Sequence, residues 1–204
     1  MACARLEEVP PRRPHIARGV NASTKRKGDS VQKGRLQMNT SRLYLYNIVA
    51  RLLPETRCFR FKAFMLAWCG AKVGRNVRIC SSAKIFGNGN LSIGDNVWIG
   101  ERCFIKATSP AGIEIGSCCD IAPQVTLMTG THEINAEGSR VAGKGCGRSI
   151  TIGDGCWLCM CSTVLPGVEL ARRTLVAAGA VVTKGVTMEG TLVAGVPARE
   201  LRKI

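Results

Sequence analysis

The sequence predicts an all-β solenoid with a short helical cap at its N-terminal end and a helix at its C-terminal end. Three observations predict it. First, aliphatic residues recur at every sixth position: Ile93, Ile99, Ile105; then Ile115, Ile121, Leu127; then Ile152, Leu158, Val164, Leu170, Val176, Val182. Second, a small or β-branched residue lies four places after each, as in Val97, Cys103, Cys119, Val125, Thr131, Cys156, Val168 and Ala180. Third, the 204 residues include 23 glycines but only 5% aromatics, a balance that suits tight turns and small-side-chain packing and fits a helix bundle poorly.

A period of six is neither the 3.6 of an α-helix nor the 2 of a single strand. A strand followed by a turn explains it. Three such units close a triangular coil with the aliphatic side chains inside and the small ones at the corners. Each coil buries its apolar edges only against its neighbours, so the coils must stack. Glycine often follows the aliphatic position, as at Gly94, Gly100, Gly116 and Gly153. The repeat breaks twice, briefly at residues 107–112 and at length over 132–149, HEINAEGSRVAGKGCGRS. A long excursion from a regular scaffold is commonly functional.

The remaining segments follow from composition. Residues 1–37 are expected to be a disordered basic leader; residues 1–35 hold nine Lys/Arg and three Asp/Glu of a chain whose net charge is +15. Met38 begins a stretch, MNTSRLYLYN, that resembles a natural start. Residues 38–72 are expected to form the helical cap, with Leu43, Tyr46, Val49, Leu53, Phe61 and Met65 on its apolar faces. Residues 73–204 are the coil domain, with excursion loop 132–149 and a helix after Pro197. The apolar runs near 43–53 and 59–68 are too short and too charged to span a membrane, so membrane contact is at most peripheral. No zinc-finger spacing or aromatic RNA-binding pattern accompanies the basic charge, and no nucleic-acid partner is expected. Cys103, Cys119 and Cys156 fall on the small, buried column, and no apolar signal segment precedes them. Reduced thiols in a cytoplasmic protein are therefore expected, with no metal.

The chain has two histidines. His15 lies in the leader, whereas His132 stands where the repeat breaks, beside Thr129, Gly130 and Thr131. A neutral imidazole accepts a proton near neutral pH, so this position points to a general base as readily as to a structural histidine.

The motifs TGTHEI, IGDGCWL, LPGV, AAGAVVTK and AGVPAR, in that order, resemble the hexapeptide-repeat (left-handed β-helix) acetyltransferase family over roughly residues 38–204. The similarity is greatest to O-acetyltransferases of capsule, exopolysaccharide and lipopolysaccharide gene clusters, and more distant to maltose and galactoside acetyltransferases. The resemblance implies a bacterial acetyl-CoA-dependent O-acetyltransferase acting on a sugar hydroxyl in surface polysaccharide biosynthesis. It implies a left-handed coil, a homotrimer with sites between subunits, and direct attack assisted by His132. It places coenzyme contacts at Trp157, Met160, Ala178, Thr183, Lys184, Arg199 and Arg202. Cys103 falls near the family's sugar-binding asparagine, and Asn135 and Arg140 of the excursion are further acceptor candidates. The family's orienting glutamate position is held by Lys144, which leaves Glu133, Glu137 or a backbone carbonyl to orient His132.

Other classes fit less well. A γ-class carbonic anhydrase needs three zinc-binding histidines. A sugar nucleotidyltransferase needs a large domain before the coils. The alternatives that remain open are an aminosugar N-acetyltransferase, a xenobiotic O-acetyltransferase and an inactive β-helix binding scaffold.

Overall fold

The computed structural model describes residues 37–204. The expected leader therefore lies outside the described residues, apart from its last position. Five triangular coils stack on one another. Face one is built from Lys72–Val73, Asn90–Ile93, Gly112–Ile115, Ile150–Ile152 and Glu169–Leu170. Face two carries Arg78–Ile79, Trp98–Ile99, Asp120–Ile121, Trp157–Leu158 and Leu175–Val176, and is extended by Thr191–Gly195 and Ala198–Lys203. Face three carries Lys84–Phe86, Phe104–Lys106, Thr126–Met128, Thr163–Val164 and Val181–Val182. Within each face the pairing from coil to coil is parallel.

The aliphatic columns form the core as the six-residue period predicts. On face one Ile93 pairs with Ile115, Ile115 with Ile152, and Ile152 with Leu170. On face two Ile99, Ile121, Leu158 and Val176 stack, and on face three Ile105, Leu127, Val164 and Val182. All are buried, as are the companion residues Val97, Cys103, Cys119, Val125, Cys156, Ser162, Val168, Thr174 and Ala180. Full burial of each aliphatic side chain contributes about 1.5–3 kcal/mol before entropy is counted. Thr131 is the exception in its column and is only half-buried, because the chain has already left the coil there.

The corners explain the small residues. Asn76, Asn96, Cys118 and Arg173 stack at the corner between faces one and two with φ of 53–57°. Such left-handed turns favour short polar residues and glycine. Gly94 and Gly116 meet a different demand: a Cβ on either would lie 2.7 Å from the backbone nitrogen of Ser117 or Asp154 in the next coil. The acidic residue after Gly is structural. Asp95 Oδ1 accepts from Arg75 N at 2.7 Å, Ser117 Oγ accepts from Asp95 N at 3.1 Å, and Asp154 Oδ1 accepts from Ser117 N at 2.7 Å. This side-chain ladder ties four consecutive coils together at one corner. The Arg75 backbone N–H, and after it the Arg75 guanidinium that also grips Asp95, hold that carboxyl below its usual range.

Two helices cap the first coil, α1 (Thr40–Arg51) and α2 (Phe59–Trp68). Asn39 caps α1 by accepting from Arg42 N at 3.0 Å. Leu43, Tyr46 and Ala50 of α1 and Leu66 of α2 are buried. The expected face is thus met at Leu43 and Tyr46, while Val49, Leu53 and Met65 are half-buried and Phe61 is exposed. The inward position next to Phe61 is Lys62. Its ammonium donates to Glu55 O at 3.1 Å and Ser81 Oγ at 3.0 Å and lies 5.0 Å from the Phe59 ring centroid. A lysine whose stem packs and whose head is hydrogen-bonded reads as surface in a sequence.

One expected element is corrected. The tail after Pro197 is a strand, Ala198–Lys203, paired antiparallel with Thr191–Gly195. Gly195 has φ of 100° and lets the chain reverse at Val196–Pro197. The last strand of face two offers an open row of hydrogen-bonding groups, and the tail satisfies them as a strand. Among the described residues no helix is long and apolar enough to cross a membrane.

Candidate functional site

Three interruptions of the period fall at the same corner, between faces three and one. The chain bulges there at Gly87–Gly89 after the first coil, at Ala107–Ala111 after the second, and at Gly130–Gly147 after the third. The bulges stack. Gly89 N donates to Ala107 O at 2.9 Å, Thr108 N donates to Thr129 Oγ1 at 2.8 Å, and Gly112 N donates to Ser149 Oγ at 3.2 Å. The Gly87 bulge escaped the sequence reading because it displaces the register by only two residues.

The long excursion is an ordered β-hairpin, Gly130–Ile134 against Ala142–Gly147. Thr129 roots it. That side chain is fully buried, and its carbonyl accepts from Arg148 N at 2.9 Å where the chain returns to the coil. The tip is closed by Asn135, whose Oδ1 accepts from Gly138 N at 3.0 Å. Asn135 is thereby engaged in the turn. Arg140 is exposed near the tip, as are Ile134 and Val141.

His132 sits in this hairpin opposite Gly145, with its ring exposed. Its Cδ2 and Nε2 lie 3.8 Å from the point a Cβ on Gly145 would occupy. The facing position therefore presents no side chain to the imidazole. His132 makes no side-chain hydrogen bond among the described residues, so neither Glu133 nor Glu137 orients it there.

The other expected site residues fall into two groups. Met160 and Ala178 lie on consecutive coils at the corner between faces two and three, linked where Gly179 N donates to Met160 O at 2.9 Å. The backbone N–H of Met160 has no partner among the described residues. Trp157 is exposed on the outer side of face two in the same coil as Met160. Thr183 and Lys184 follow the last strand of face three. Lys184 and Arg199 line one shallow concavity of about 250 Å³ at the C-terminal end, together with Glu200. Arg202 lies on the same terminal strand, opposite Leu192.

His132 is not brought to Met160 and Ala178 within one chain. The root of its hairpin at Thr129 and the corner carrying Met160 and Ala178 stand at opposite edges of face three, about five extended residues or ~16 Å apart. Cys103 is corrected as an acceptor contact: its side chain is fully buried, its thiol donates to Ala122 O at 3.1 Å, and burial pushes the thiol up to about 11. The ten described cysteines are all free. Among the described residues no cluster of three or more His, Cys, Asp or Glu is placed to hold a metal.

One feature escaped the sequence reading altogether. A groove of about 670 Å³ runs between α1 and the outer side of face three, lined by Tyr44, Ile48, Arg51, Lys84, Phe86 and Phe104 among others. Its signal was the alternation of outward residues in Lys84–Phe86 and Phe104–Lys106, which becomes meaningful only once α1 is seen to overhang them.

Residues 90–123 and 150–184 match the family described as hexapeptide repeat of succinyl-transferase. The chain is 32% identical over 161 residues to WcaF of Escherichia coli (strain K12), covering 77% of this chain and 85% of that protein. The name of that relative assigns it to colanic acid biosynthesis as an acetyltransferase. A maltose O-acetyltransferase from Clostridium difficile 630 superposes with a TM-score of 0.59 at 23% identity, covering 81% of this chain and 86% of that one. A hexapeptide-repeat acetyltransferase from Vibrio cholerae O1 biovar eltor, complexed with acetyl coenzyme A, superposes with a TM-score of 0.54 at 22% identity over 80% of this chain and 86% of that one. At those identities the likeness to solved structures establishes the fold, the parallel β-helix, while the longer sequence match establishes kinship: the chain belongs to the hexapeptide-repeat acetyltransferase family.

Proposed function

We propose that the chain transfers acetyl from acetyl-CoA to a sugar hydroxyl in the biosynthesis of a bacterial surface polysaccharide, with His132 as general base. The observation that carries this reading is the setting of His132, exposed on an ordered hairpin and faced by the bare backbone of Gly145. The kinship to WcaF supports the polysaccharide acceptor, and the Vibrio cholerae complex supports the donor.

The chemistry requires no acyl-enzyme. The neutral imidazole takes the proton of the acceptor hydroxyl as that oxygen attacks the thioester carbonyl carbon. The carbonyl oxygen gains the electron pair, and the unpaired N–H of Met160 is its donor. Collapse of the tetrahedral species breaks the carbon–sulfur bond. The coenzyme thiolate leaves and takes the proton held by His132, which restores the neutral base.

Trp157, Ala178, Thr183, Lys184, Arg199 and Arg202 are the remaining coenzyme contacts in this reading. Cationic Lys184 and Arg199 in one concavity suit an anionic phosphate. The separation of the His132 hairpin root from Met160 across face three supports a homotrimer in which one copy supplies the histidine and its neighbour the coenzyme groove. Exposed Ile134 and Val141 at the hairpin tip supply apolar surface for that contact. Free cysteines fit a cytoplasmic location. The domain reading retained is a leader ending near residue 37, a helical cap, and a coil domain from residue 73 to the end.

The test is mass spectrometry of sugar and glycan acceptors incubated with labelled acetyl-CoA and the full chain. The expected product is an O-acetyl ester, absent with His132→Ala. Label on amines alone would replace this reading with N-transfer. Coenzyme binding without any transfer would replace it with a binding scaffold.

A further inference from the structure

The two N-terminal helices are apolar on both sides. Helix α1 turns Leu43, Tyr46 and Ala50 inward, yet the opposite side carries Tyr44, Leu45, Ile48 and Leu52. Helix α2 turns Lys62 and Leu66 inward, yet Phe61, Phe64 and Trp68 are exposed. Tyr44 is 70% exposed, Leu52 80% and Phe64 68%. Seven large apolar side chains on two adjacent short helices are far more than scattered surface residues. A helix apolar all round ordinarily has a second apolar partner.

The charge around this face narrows the partner. Arg42, Arg51, Arg57 and Arg60 are all exposed. Arg42 holds the two helices together, with its guanidinium 4.6 Å from the Trp68 ring centroid and its Nη1 donating to Trp68 O at 2.9 Å. Glu55 is the single carboxylate among residues 37–74, and it is engaged by Ser82 N and Ser82 Oγ. A second copy packed face to face would set arginines against arginines. Residues 1–35 carry a net +6, so they offer no net opposite charge to these arginines either.

An anionic bilayer surface meets both demands. Aromatic and aliphatic side chains enter the headgroup–acyl boundary, while arginines extend to the phosphates. We propose that the outward face of α1 and α2 docks this enzyme on an anionic lipid bilayer, with Tyr44, Leu45, Ile48, Leu52, Phe61, Phe64 and Trp68 as the inserted side chains and Arg51, Arg57 and Arg60 as the phosphate contacts. Such docking would place the groove lined by Tyr44 and Ile48 beside the lipid.

The full chain is sedimented with vesicles of phosphatidylcholine alone or mixed with phosphatidylglycerol. Binding is expected only with phosphatidylglycerol, and it weakens at high salt. The pairs Leu52→Asp with Phe64→Asp and Arg57→Glu with Arg60→Glu each reduce it at least about tenfold, with unchanged melting. Where the apolar pair alters melting, the arginine pair decides. Three results overturn the proposal: no binding by the unaltered chain, undiminished binding by both variants, which would assign it to the basic leader, or loss of an oligomer in gel filtration with Leu52→Asp and Phe64→Asp, which would make the face a contact between copies.

Discussion

His132 and Gly145 face each other across the excursion hairpin, with the imidazole Nε2 3.8 Å from where a Gly145 Cβ would stand. That distance is ordinary van der Waals contact. Alanine at 145 fits, and a branched side chain presses on the ring. Gly145→Ala is expected to keep near-normal turnover and Gly145→Val to lose about tenfold to a hundredfold by displacing the base. His132→Ala is expected to lose at least about a hundredfold in kcat. Because both side-chain positions face solvent, thermal melts should be unchanged in all three. A fully active Gly145→Val would remove the steric argument.

Gly116 presents the opposite case. Its Cβ would lie 2.7 Å from Asp154 N, in the place where Asp154 Oδ1 accepts from Ser117 N. The coils must separate or the ladder must break. Gly116→Ala is expected to cost about 1–3 kcal/mol. Denaturant unfolding of Gly116→Ala beside Gly145→Ala separates coil spacing from a general intolerance of glycine replacement.

Buried thiols give the fold an alkaline weakness. Burial and nearby carboxylates push Cys80 up to about 12, and burial pushes Cys103 up to about 11. Unfolding returns both to ordinary values near 9, so above that pH the unfolded chain releases protons that the folded chain keeps. Their contribution is complete below pH 9 and is lost as pH rises toward 11–12. Melting temperature should therefore fall over that window, less steeply in Cys103→Ala. Thiol labelling of the native protein should reach Cys58, Cys118 and Cys161 and spare Cys69, Cys80, Cys103, Cys119 and Cys156. A melting temperature independent of pH above 9 would contradict this assignment.

Arg199 and Lys184 share the C-terminal concavity. In the proposed reading they hold a phosphate of the donor far from the reacting carbonyl. Arg199→Ala and Lys184→Ala are each expected to raise KM for acetyl-CoA about tenfold with kcat little changed. A loss confined to kcat would move both residues away from donor binding.

Much of the solenoid was legible because its period is enforced by sterics that act locally and repeat. An aliphatic residue every sixth place, a small corner residue and a glycine where coils touch leave one architecture, and Ile93, Ile115 and Ile152 stack as that pattern requires. The position of His132 was legible for the same reason, since a break in a strict period is itself a signal. The burial of Cys103 was legible from its column, whereas that of Lys62 was not, because the burial of a charged side chain depends on what lies across the fold. The tail was misjudged because a vacant strand edge, invisible in sequence, decided its structure.

The sequence by itself thus determined the coil, its core columns and the residue at its interruption. Each of these follows from contacts repeated at a fixed spacing along the chain. Tertiary structure decided that three bulges stack at one corner, that Asp95, Ser117 and Asp154 form a ladder, and that His132 faces Gly145. It also separated the root of the His132 hairpin from Met160 by the width of face three. The bulge and ladder contacts join residues 18 to 37 positions apart, which only the closing of each coil on the one before it brings together, while His132 and Gly145 meet across a hairpin.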